Sequence, residues 1–325
     1  MSGPGTARER TGHGHGKAIV SGEHLVLDGA AALVVPLRSL RASVAYAPGA
    51  EPLTLSLPAS AAPPSEGAGE LAAVKQTLES MWRGVCAAAG RADDALTGTL
   101  TVRSEVPIGR GLGSSAAIAA AMVRAAGVPP EAQWATARAA EDIVHGRSSG
   151  LDPAAALTDD ALLFARGAVL QRVRVNAALA DARWVLVDVG AARPTRDAID
   201  RAIIARGTMG PAATARLVRQ VDDASRSAAR ALASGDLDAL AAAMHQAGAA
   251  LEPLDVVDLA MRAMMARVAD ASAMAVKQTG AGLGGMLLAL CRTQADAGAL
   301  VATLGADGHK THVVGLLGPD DGEAT

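Results

Sequence analysis

Glycines at every second position mark residues 107–117, whose sequence is Pro-Ile-Gly-Arg-Gly-Leu-Gly-Ser-Ser-Ala-Ala. Glycine carries no Cβ, so the backbone there can adopt positive φ and approach a ligand closely. The alanine-rich run that follows favours a helix, with Ser114 and Ser115 as candidate N-caps and Gly127 as its end. A glycine loop that leads into a helix N-terminus presents free N–H groups and the positive end of the helix dipole, which favours binding of a phosphate.

This loop matches neither of the two best-known phosphate motifs. It contains no Gly-x-x-x-x-Gly-Lys-Ser/Thr, and its spacing is not Gly-x-Gly-x-x-Gly. The hydroxyls of Ser114 and Ser115 could hold Mg²⁺ beside a bound anion. The alternative is a simple glycine turn before an alanine helix.

A second group of chemically active residues lies within residues 14–29, a short apolar strand flanked by glycines. Lys17, Glu23 and His24 bring opposite charges close together in the sequence. They suggest either an ion pair that closes a sheet edge or a site for an anionic substrate, and the sequence favours neither.

Two acidic residues follow the glycine loop. Glu141 lies on a predicted helix over residues 131–145, where the alternative is a solvated face shared with Asp142 and Arg138. Asp152 lies between a Ser-Ser-Gly turn and Pro153, a position that suits either a helix N-cap or a catalytic base.

A third glycine-rich stretch covers residues 275–290 and reads as strand, glycine loop and strand. One interpretation is a sharp turn between paired strands, and the other is close approach of the backbone to a nucleotide.

The remaining pattern predicts two domains, because 325 residues exceed the size of a single core. We expect a flexible tail over residues 1–16, in which His13 and His15 are solvated, a first domain over 17–181 and a second over 182–325. Alternation and periodicity predict strands at 33–44, 53–57, 96–106, 162–164, 168–175, 184–190, 300–304 and 313–317, and helices at 71–89, 131–145, 197–206, 211–234, 237–251 and 256–269.

Composition narrows the class of protein. A net charge of −3 and 2% aromatic residues argue against nucleic acid as a partner. Two distant cysteines, Cys86 and Cys291, are typical of a reducing, cytoplasmic setting. The most apolar early run, residues 25–37, is shorter than a bilayer requires, so we expect no membrane association.

The three glycine-rich blocks together resemble the GHMP small-molecule kinases. Residues 16–29 are similar to that family's Gly-Lys…Gly-Glu-His…Gly motif, residues 107–117 to its Pro-x-Gly-x-Gly-Leu-Gly-Ser-Ser-Ala-Ala loop, and residues 279–285 to its Thr-Gly-Ala-Gly-Gly-Gly-Gly. Leu283 departs from this pattern by replacing a glycine, and it would be strained at positive φ.

The resemblance implies an α+β fold with a ribosomal protein S5-like N-terminal domain and a C-terminal ferredoxin-like domain. It also implies use of ATP and Mg²⁺ and a homodimer. Within the family it points to the branch that phosphorylates mevalonate, a small-molecule substrate. Alternatives are phosphomevalonate kinase or another alcohol kinase, the related diphosphomevalonate decarboxylase, and a non-catalytic ligand sensor.

Residue roles follow from the same resemblance. Asp152 would take the proton of the substrate hydroxyl, Lys17 would stabilise the transferring group, and Ser115 and Glu141 would ligate Mg²⁺. The nucleotide would contact Gly109, Gly111, Leu112, Gly113, Ser114, Ser115 and Ala116. The substrate would contact Lys17, Glu23, His24, Asp152, Arg193, Thr195, Gly280 and Ala281.

Overall fold

The computed structural model describes residues 8–57, 68–146, 148–190 and 195–317. Contacts divide the chain into two compact units, and neither unit is a continuous stretch. The first comprises Met1–Gly16, Leu40–Ile108 and Gly113–Leu157, and the second comprises Lys17–Ser39, Gly109–Leu112 and Thr158–Thr325. This division differs from the expected boundary at residues 181 and 182, because two long strands and the glycine loop each pass from one unit to the other.

The strands in chain order are β1 (Arg10–Ser21), β2 (Ala32–Pro52), β3 (Thr54–Ser56), β4 (Thr97–Ser104), β5 (Ala161–Ala165), β6 (Ala168–Val173), β7 (Arg183–Asp188), β8 (Ala275–Thr279), β9 (Met286–Cys291) and β10 (Thr311–Gly315). The helices are α1 (Ala68–Ala88), α2 (Ser114–Ala125), α3 (Pro130–His145), α4 (Leu151–Ala156), α5 (Thr195–Met209), α6 (Pro211–Ser234), α7 (Leu237–Leu251), α8 (Leu259–Asp270) and α9 (Gln294–Ala306). The mixture of strands and helices confirms the α+β prediction.

In the first unit, β4 pairs antiparallel with the second half of β2 and parallel with β3. Inward positions of β4 alternate with outward ones, as its sequence predicts. Helices α1 to α4 belong to this unit, and α2 is buried along nearly its whole length because alanines form most of its surface. Such small side chains allow neighbouring elements to approach the α2 backbone closely.

Residues 10–16 form the first part of β1, and this corrects the expectation of a flexible tail there. Gly12 and Gly14 are buried against α2, and a Cβ on either residue would overlap the main-chain oxygen of Ala121 or Ala117. The alternating glycines therefore allow this strand to lie flat on the helix backbone. The rest of the predicted tail, residues 1–7, lies outside the described residues.

In the second unit, a four-stranded antiparallel sheet has the strand order β10-β7-β9-β8. Its inward residues and those of helices α5 to α9 share one core, which is built from aliphatic side chains and methionines. The β5–β6 hairpin around Gly167 is also present, and β5 pairs with the beginning of β2. These elements confirm the predicted hairpin and the strand at 184–190.

The predicted strand at residues 300–304 is wrong, because these residues lie in α9. Leu300 and Leu304 are both buried, and their spacing of four residues places them on one helix face. The helix begins with a capping box formed by Thr293 and Asp296, a signal that the sequence contains and that the strand prediction overlooked.

No helix among the described residues is both long and apolar enough to cross a membrane.

Candidate active site

The glycine loop adopts the backbone conformation that its sequence predicts. Gly109, Gly111 and Gly113 have φ of 71°, 78° and 73°, which a side chain would disfavour. Gly113 itself is the N-cap residue of α2, and no side chain caps this helix. The prediction that Ser114 or Ser115 caps α2 is therefore wrong: both serines lie inside the first turn, so their hydroxyls are not used as caps.

Lys17 joins the first glycine block to this loop inside the second unit. Its Nζ donates a hydrogen bond to the Gly111 main-chain oxygen at 3.0 Å, and its main-chain N–H donates to the Leu112 oxygen at 2.9 Å. The side chain is 3% exposed. The ammonium is thus held against the loop by contacts that the sequence spacing alone does not reveal.

The third glycine block contacts the same loop. A Cβ on Gly280 would lie 3.0 Å from the Gly111 oxygen and 3.1 Å from its Cα, and Gly280 has φ of 89°. Strands β8 and β9 pair antiparallel up to Thr279 and Met286, so residues 280–285 form the turn between them. The interpretation as a turn between paired strands is confirmed, and close approach of this block to a nucleotide stays a prediction.

His24 connects the first block to the third. Its backbone has φ of 60° and ψ of −47°, a conformation that is unfavourable for a residue with a side chain. Its Nε2 lies 2.7 Å from the Ala281 main-chain oxygen, and a carbonyl can only accept, so Nε2 carries the donated hydrogen. Burial lowers the pKa of His24, with a further contribution from the positive charges of Arg206 and Lys277.

Leu283, which stands where the resemblance places a glycine, adopts the positive φ at which strain is expected for a residue with a side chain. Its φ is 55°, its side chain is buried, and its N–H donates to the Val256 oxygen at 2.9 Å. Strain of this kind concentrates at ligand-binding loops and persists only where the surroundings hold it in place.

Glu23 forms the buried ion pair of this region. Its carboxylate Oε1 accepts a hydrogen bond from Nζ of Lys277, a residue of β8 that sequence reasoning missed. Burial raises the pKa of Glu23 and lowers that of Lys277, while the attraction between the two charges opposes both shifts. The sequence feature that could have identified Lys277 is its position as a lysine among the inward residues of the strand before the third block.

The first unit holds the predicted magnesium ligands. Ser115 Oγ donates to Glu141 Oε1 at 2.8 Å, and His145 Nε2 lies 3.2 Å from the same hydroxyl. Glu141 is buried, so the alternative of a solvated helix face is wrong. His145 follows Glu141 by one helical turn, and this spacing could have identified it.

These oxygen atoms suit a hard divalent cation. Serine hydroxyls and carboxylates are ligands that Mg²⁺ accepts, and it usually completes its shell with water and substrate phosphates rather than with protein. Among the described residues, no group of three or more His, Cys, Asp and Glu side chains could hold a metal ion. A serine hydroxyl and a carboxylate are oxygen ligands of the kind that Mg²⁺ accepts beside water and phosphate oxygens.

Asp152 lies in the first turn of α4, in the first unit. The N-cap of that helix is Gly150, with φ of 83°, so of the two roles considered for Asp152 the N-cap is excluded. Trp134 Nε1 donates to the Gly150 oxygen at 3.0 Å, and its ring would contact any Cβ at that position. These contacts fix the turn from which the Asp152 carboxylate extends.

Thr195 is the first residue of α5 and is exposed. Arg193 lies outside the described residues. Arg110, which the sequence analysis did not assign, anchors the glycine loop to the end of β7 through the Gly190 oxygen and a 3.4 Å ion pair with Asp188.

The fold and the three glycine blocks define a small-molecule kinase. A family model for the GHMP kinases N terminal domain matches residues 74–159, and one for the GHMP kinases C terminal domain matches residues 228–310. The chain belongs to the GHMP kinase family and is an ATP-dependent small-molecule kinase.

The relatives include a mevalonate kinase from Aeropyrum pernix, 32% identical over 282 residues, which cover 85% of this chain and 86% of that protein. The crystal structure of L. major mevalonate kinase in complex with R-mevalonate has a TM-score of 0.79 and 22% identity, covering 97% of this chain and 99% of that one. Lactococcus lactis galactokinase complexed with galactose has a TM-score of 0.71 and 15% identity, covering 95% and 93%. The two structural likenesses establish the fold, which is common to kinases of different alcohols.

Proposed function

We propose that this protein transfers the γ-phosphoryl group of ATP to the 5-hydroxyl of mevalonate, giving 5-phosphomevalonate and ADP in isoprenoid precursor synthesis. The observation that carries the proposal is the 3.0 Å hydrogen bond between Lys17 Nζ and the Gly111 oxygen, which holds a buried ammonium on the phosphate loop. The identity of 32% to a mevalonate kinase supports the choice of substrate.

The glycine loop and α2 would bind the nucleotide phosphates. Phosphoryl transfer needs little covalent chemistry from a protein, since alignment and charge stabilisation provide most of the rate enhancement. Main-chain N–H groups from the loop and the α2 N-terminus, with the ammonium of Lys17, would supply that stabilisation. The nucleotide contacts are proposed for Gly109, Gly111, Leu112, Gly113, Ser114, Ser115 and Ala116.

Asp152 is proposed as the general base. The mevalonate hydroxyl oxygen would attack the γ-phosphorus, its proton would pass to the Asp152 carboxylate, and the bond from the γ-phosphorus to the ADP oxygen would break. Lys17 would stabilise the negative charge that develops on the transferring group. A positioned base of this kind contributes about 10²- to 10⁴-fold in rate.

Ser115 and Glu141 would hold Mg²⁺. When bound, that ion neutralises charge on the β- and γ-phosphates. The protein's own contribution is to orient the two oxygens, through the hydrogen bond from the Ser115 hydroxyl to the Glu141 carboxylate.

The acceptor alcohol would contact the first and third blocks. Glu23 and His24 are proposed on the mevalonate side, with Gly280 and Ala281 supplying main-chain groups, and with Thr195 and Arg193 as further contacts. The hydrogen bond from His24 to Ala281 joins these two blocks in the second unit.

We also propose a homodimer located in the cytoplasm. The dimer is inferred from the family. The cytoplasmic location is supported by two cysteines, Cys86 and Cys291, that are both free and buried.

The decisive experiment is an assay of purified protein with ATP, Mg²⁺ and mevalonate, in which we expect stoichiometric ADP and 5-phosphomevalonate. Phosphomevalonate, galactose and homoserine are tested in parallel, and diphosphomevalonate is tested for CO₂ release. If one of these compounds is consumed while mevalonate is not, the proposed substrate is wrong. If the protein binds ATP but turns over none of these compounds, the alternative of a non-catalytic ligand sensor is supported instead.

A further inference from the structure

The ammonium of Lys277 is completely buried and has three hydrogen-bond acceptors. They are Oε1 of Glu23, the Gln278 main-chain oxygen at 2.5 Å and the Ile19 main-chain oxygen at 3.4 Å. A lysine ammonium has three N–H donors, so every donor has an acceptor. Removal of this side chain would leave a buried carboxylate without its counter-charge.

Only one oxygen of the Glu23 carboxylate has a hydrogen-bond partner among the described residues. Oε1 pairs with Lys277, whereas Oε2 is buried and has no hydrogen-bond partner among the described residues. A buried carboxylate oxygen without a donor is unfavourable, and such atoms in native proteins call for an explanation. A ligand that supplies a donor would satisfy this atom.

The surroundings of Glu23 are fixed on both sides. The next residue, His24, is held in its strained backbone conformation by the hydrogen bond to the Ala281 oxygen. The preceding strand is tied to β8 by a hydrogen bond of 2.7 Å from the Ile19 N–H to Thr279 Oγ1. The carboxylate therefore has little freedom to turn its second oxygen towards another partner.

We infer that Lys277 is a positioning residue, which holds the Glu23 carboxylate through Oε1 so that Oε2 accepts a hydrogen bond from a hydroxyl group of the acceptor substrate. The inference rests on the proposed function, because it identifies what the alcohol contacts. A fixed carboxylate acceptor favours a hydroxylated substrate, since only a donor can satisfy it.

The test compares wild-type protein with Glu23→Gln, Lys277→Met, the double variant Glu23→Gln/Lys277→Met, and Lys310→Met as a control that removes an exposed lysine. For each protein, we measure KM for mevalonate, KM for ATP, the affinity for a non-hydrolysable ATP analogue and the unfolding midpoint.

Lys277→Met and Glu23→Gln should each raise KM for mevalonate about tenfold or more, as the loss of a hydrogen bond to a charged group predicts. KM for ATP should change by less than about threefold, and Lys310→Met should match wild type.

The double variant distinguishes positioning from general damage. If Lys277 acts through Glu23, the double variant should raise KM for mevalonate no further than the worse single variant, because the two residues form one unit. It also removes both buried charges, so it remains measurable where Lys277→Met alone fails to fold. Multiplying effects in the double variant, an equal rise of KM for ATP, or an unchanged KM for mevalonate in Lys277→Met would each overturn the inference.

Failure of the proposed function is distinguished from failure of this inference by the wild-type protein. If the proposed function is wrong, wild-type protein does not phosphorylate mevalonate but uses another alcohol. The same KM comparison is then made on the alcohol that is used, and a selective rise in its KM would still support the role of Lys277.

Discussion

The main chain of Gly280 packs directly on the main chain of Gly111, and a side chain at Gly280 would be in tight contact with it. A Cβ on Gly280 would lie 3.0 Å from the Gly111 oxygen, and this glycine has φ of 89°. The contact joins the third glycine block to the phosphate loop, although the two are far apart in the sequence. The shape of the loop therefore depends on a residue outside it.

The first prediction tests this contact with Gly280→Ala. At this φ a side chain strains the backbone, and the added Cβ also requires a small shift of the Gly111 main chain, at a cost of about 1–3 kcal/mol. We expect kcat/KM for ATP to fall about tenfold or more. Gly298→Ala is the control, because that glycine lies in α9 with nothing within 4 Å of an added Cβ. Equal activity of the two variants would show that the contact has no role in nucleotide binding.

The second prediction concerns the proposed base. Asp152→Asn preserves the size of the side chain but cannot take a proton, so kcat should fall by about 10²- to 10⁴-fold. Binding of ATP, measured by calorimetry, should be unchanged. Asp270→Asn, at the exposed end of α8, serves as control and should retain wild-type kcat. Wild-type kcat in Asp152→Asn would remove this residue from the mechanism.

The third prediction concerns the magnesium ligands. Ser115→Ala and Glu141→Gln each remove an oxygen ligand or its charge, so the Mg²⁺ concentration for half-maximal rate should rise about tenfold or more. Binding of Mn²⁺ in the presence of ADP, followed by electron paramagnetic resonance, should weaken in parallel. Metal titrations that coincide with those of wild type would assign these residues a purely structural role.

The fourth prediction is a pH dependence of stability due to His24. Burial lowers its pKa in the folded protein from the ordinary value of 6.5, so between these two values the unfolded chain binds more protons. The stabilising contribution is therefore present above pH 6.5 and is lost as the pH falls through the folded-state pKa. Chemical denaturation from pH 7.5 to pH 5 should show a smaller loss of stability for His24→Gln than for wild type.

The control for this titration is His245→Gln, which replaces an exposed histidine on α7. The loss of stability in this variant between pH 7.5 and pH 5 is measured beside that of wild type and of His24→Gln. A steep loss in His24→Gln as well would assign the acid sensitivity to other groups.

The fifth prediction tests the packing of β1 on α2. In Gly14→Ala the new Cβ would overlap the Ala117 oxygen, and overpacking of this kind costs about 1–3 kcal/mol. The unfolding midpoint should fall accordingly. Gly84→Ala, on α1 with open space around it, should be neutral or stabilising. An unchanged midpoint in Gly14→Ala would restore the expectation of a flexible segment at residues 10–16.

Much of the fold could be predicted from local patterns. The β5–β6 hairpin, β7, the β8–β9 pair and helices α5 to α8 all follow from periodicity and turn residues. Errors arose where local patterns are ambiguous. The apolar run at 300–304 suits a strand or a buried helix. The alternating glycines before Lys17 are typical of a flexible tail, and only their packing on α2 shows that they form a strand.

The sequence by itself determined the local conformations of the phosphate loop: positive φ at its glycines and the helix that follows it. These depend on each residue's own backbone freedom, so neighbours in the chain are sufficient to specify them. Only the tertiary structure decided that Glu23 pairs with Lys277, 254 positions away. Burial selects such partners, because a charge removed from water must meet an opposite charge, and no local rule says which one will be near.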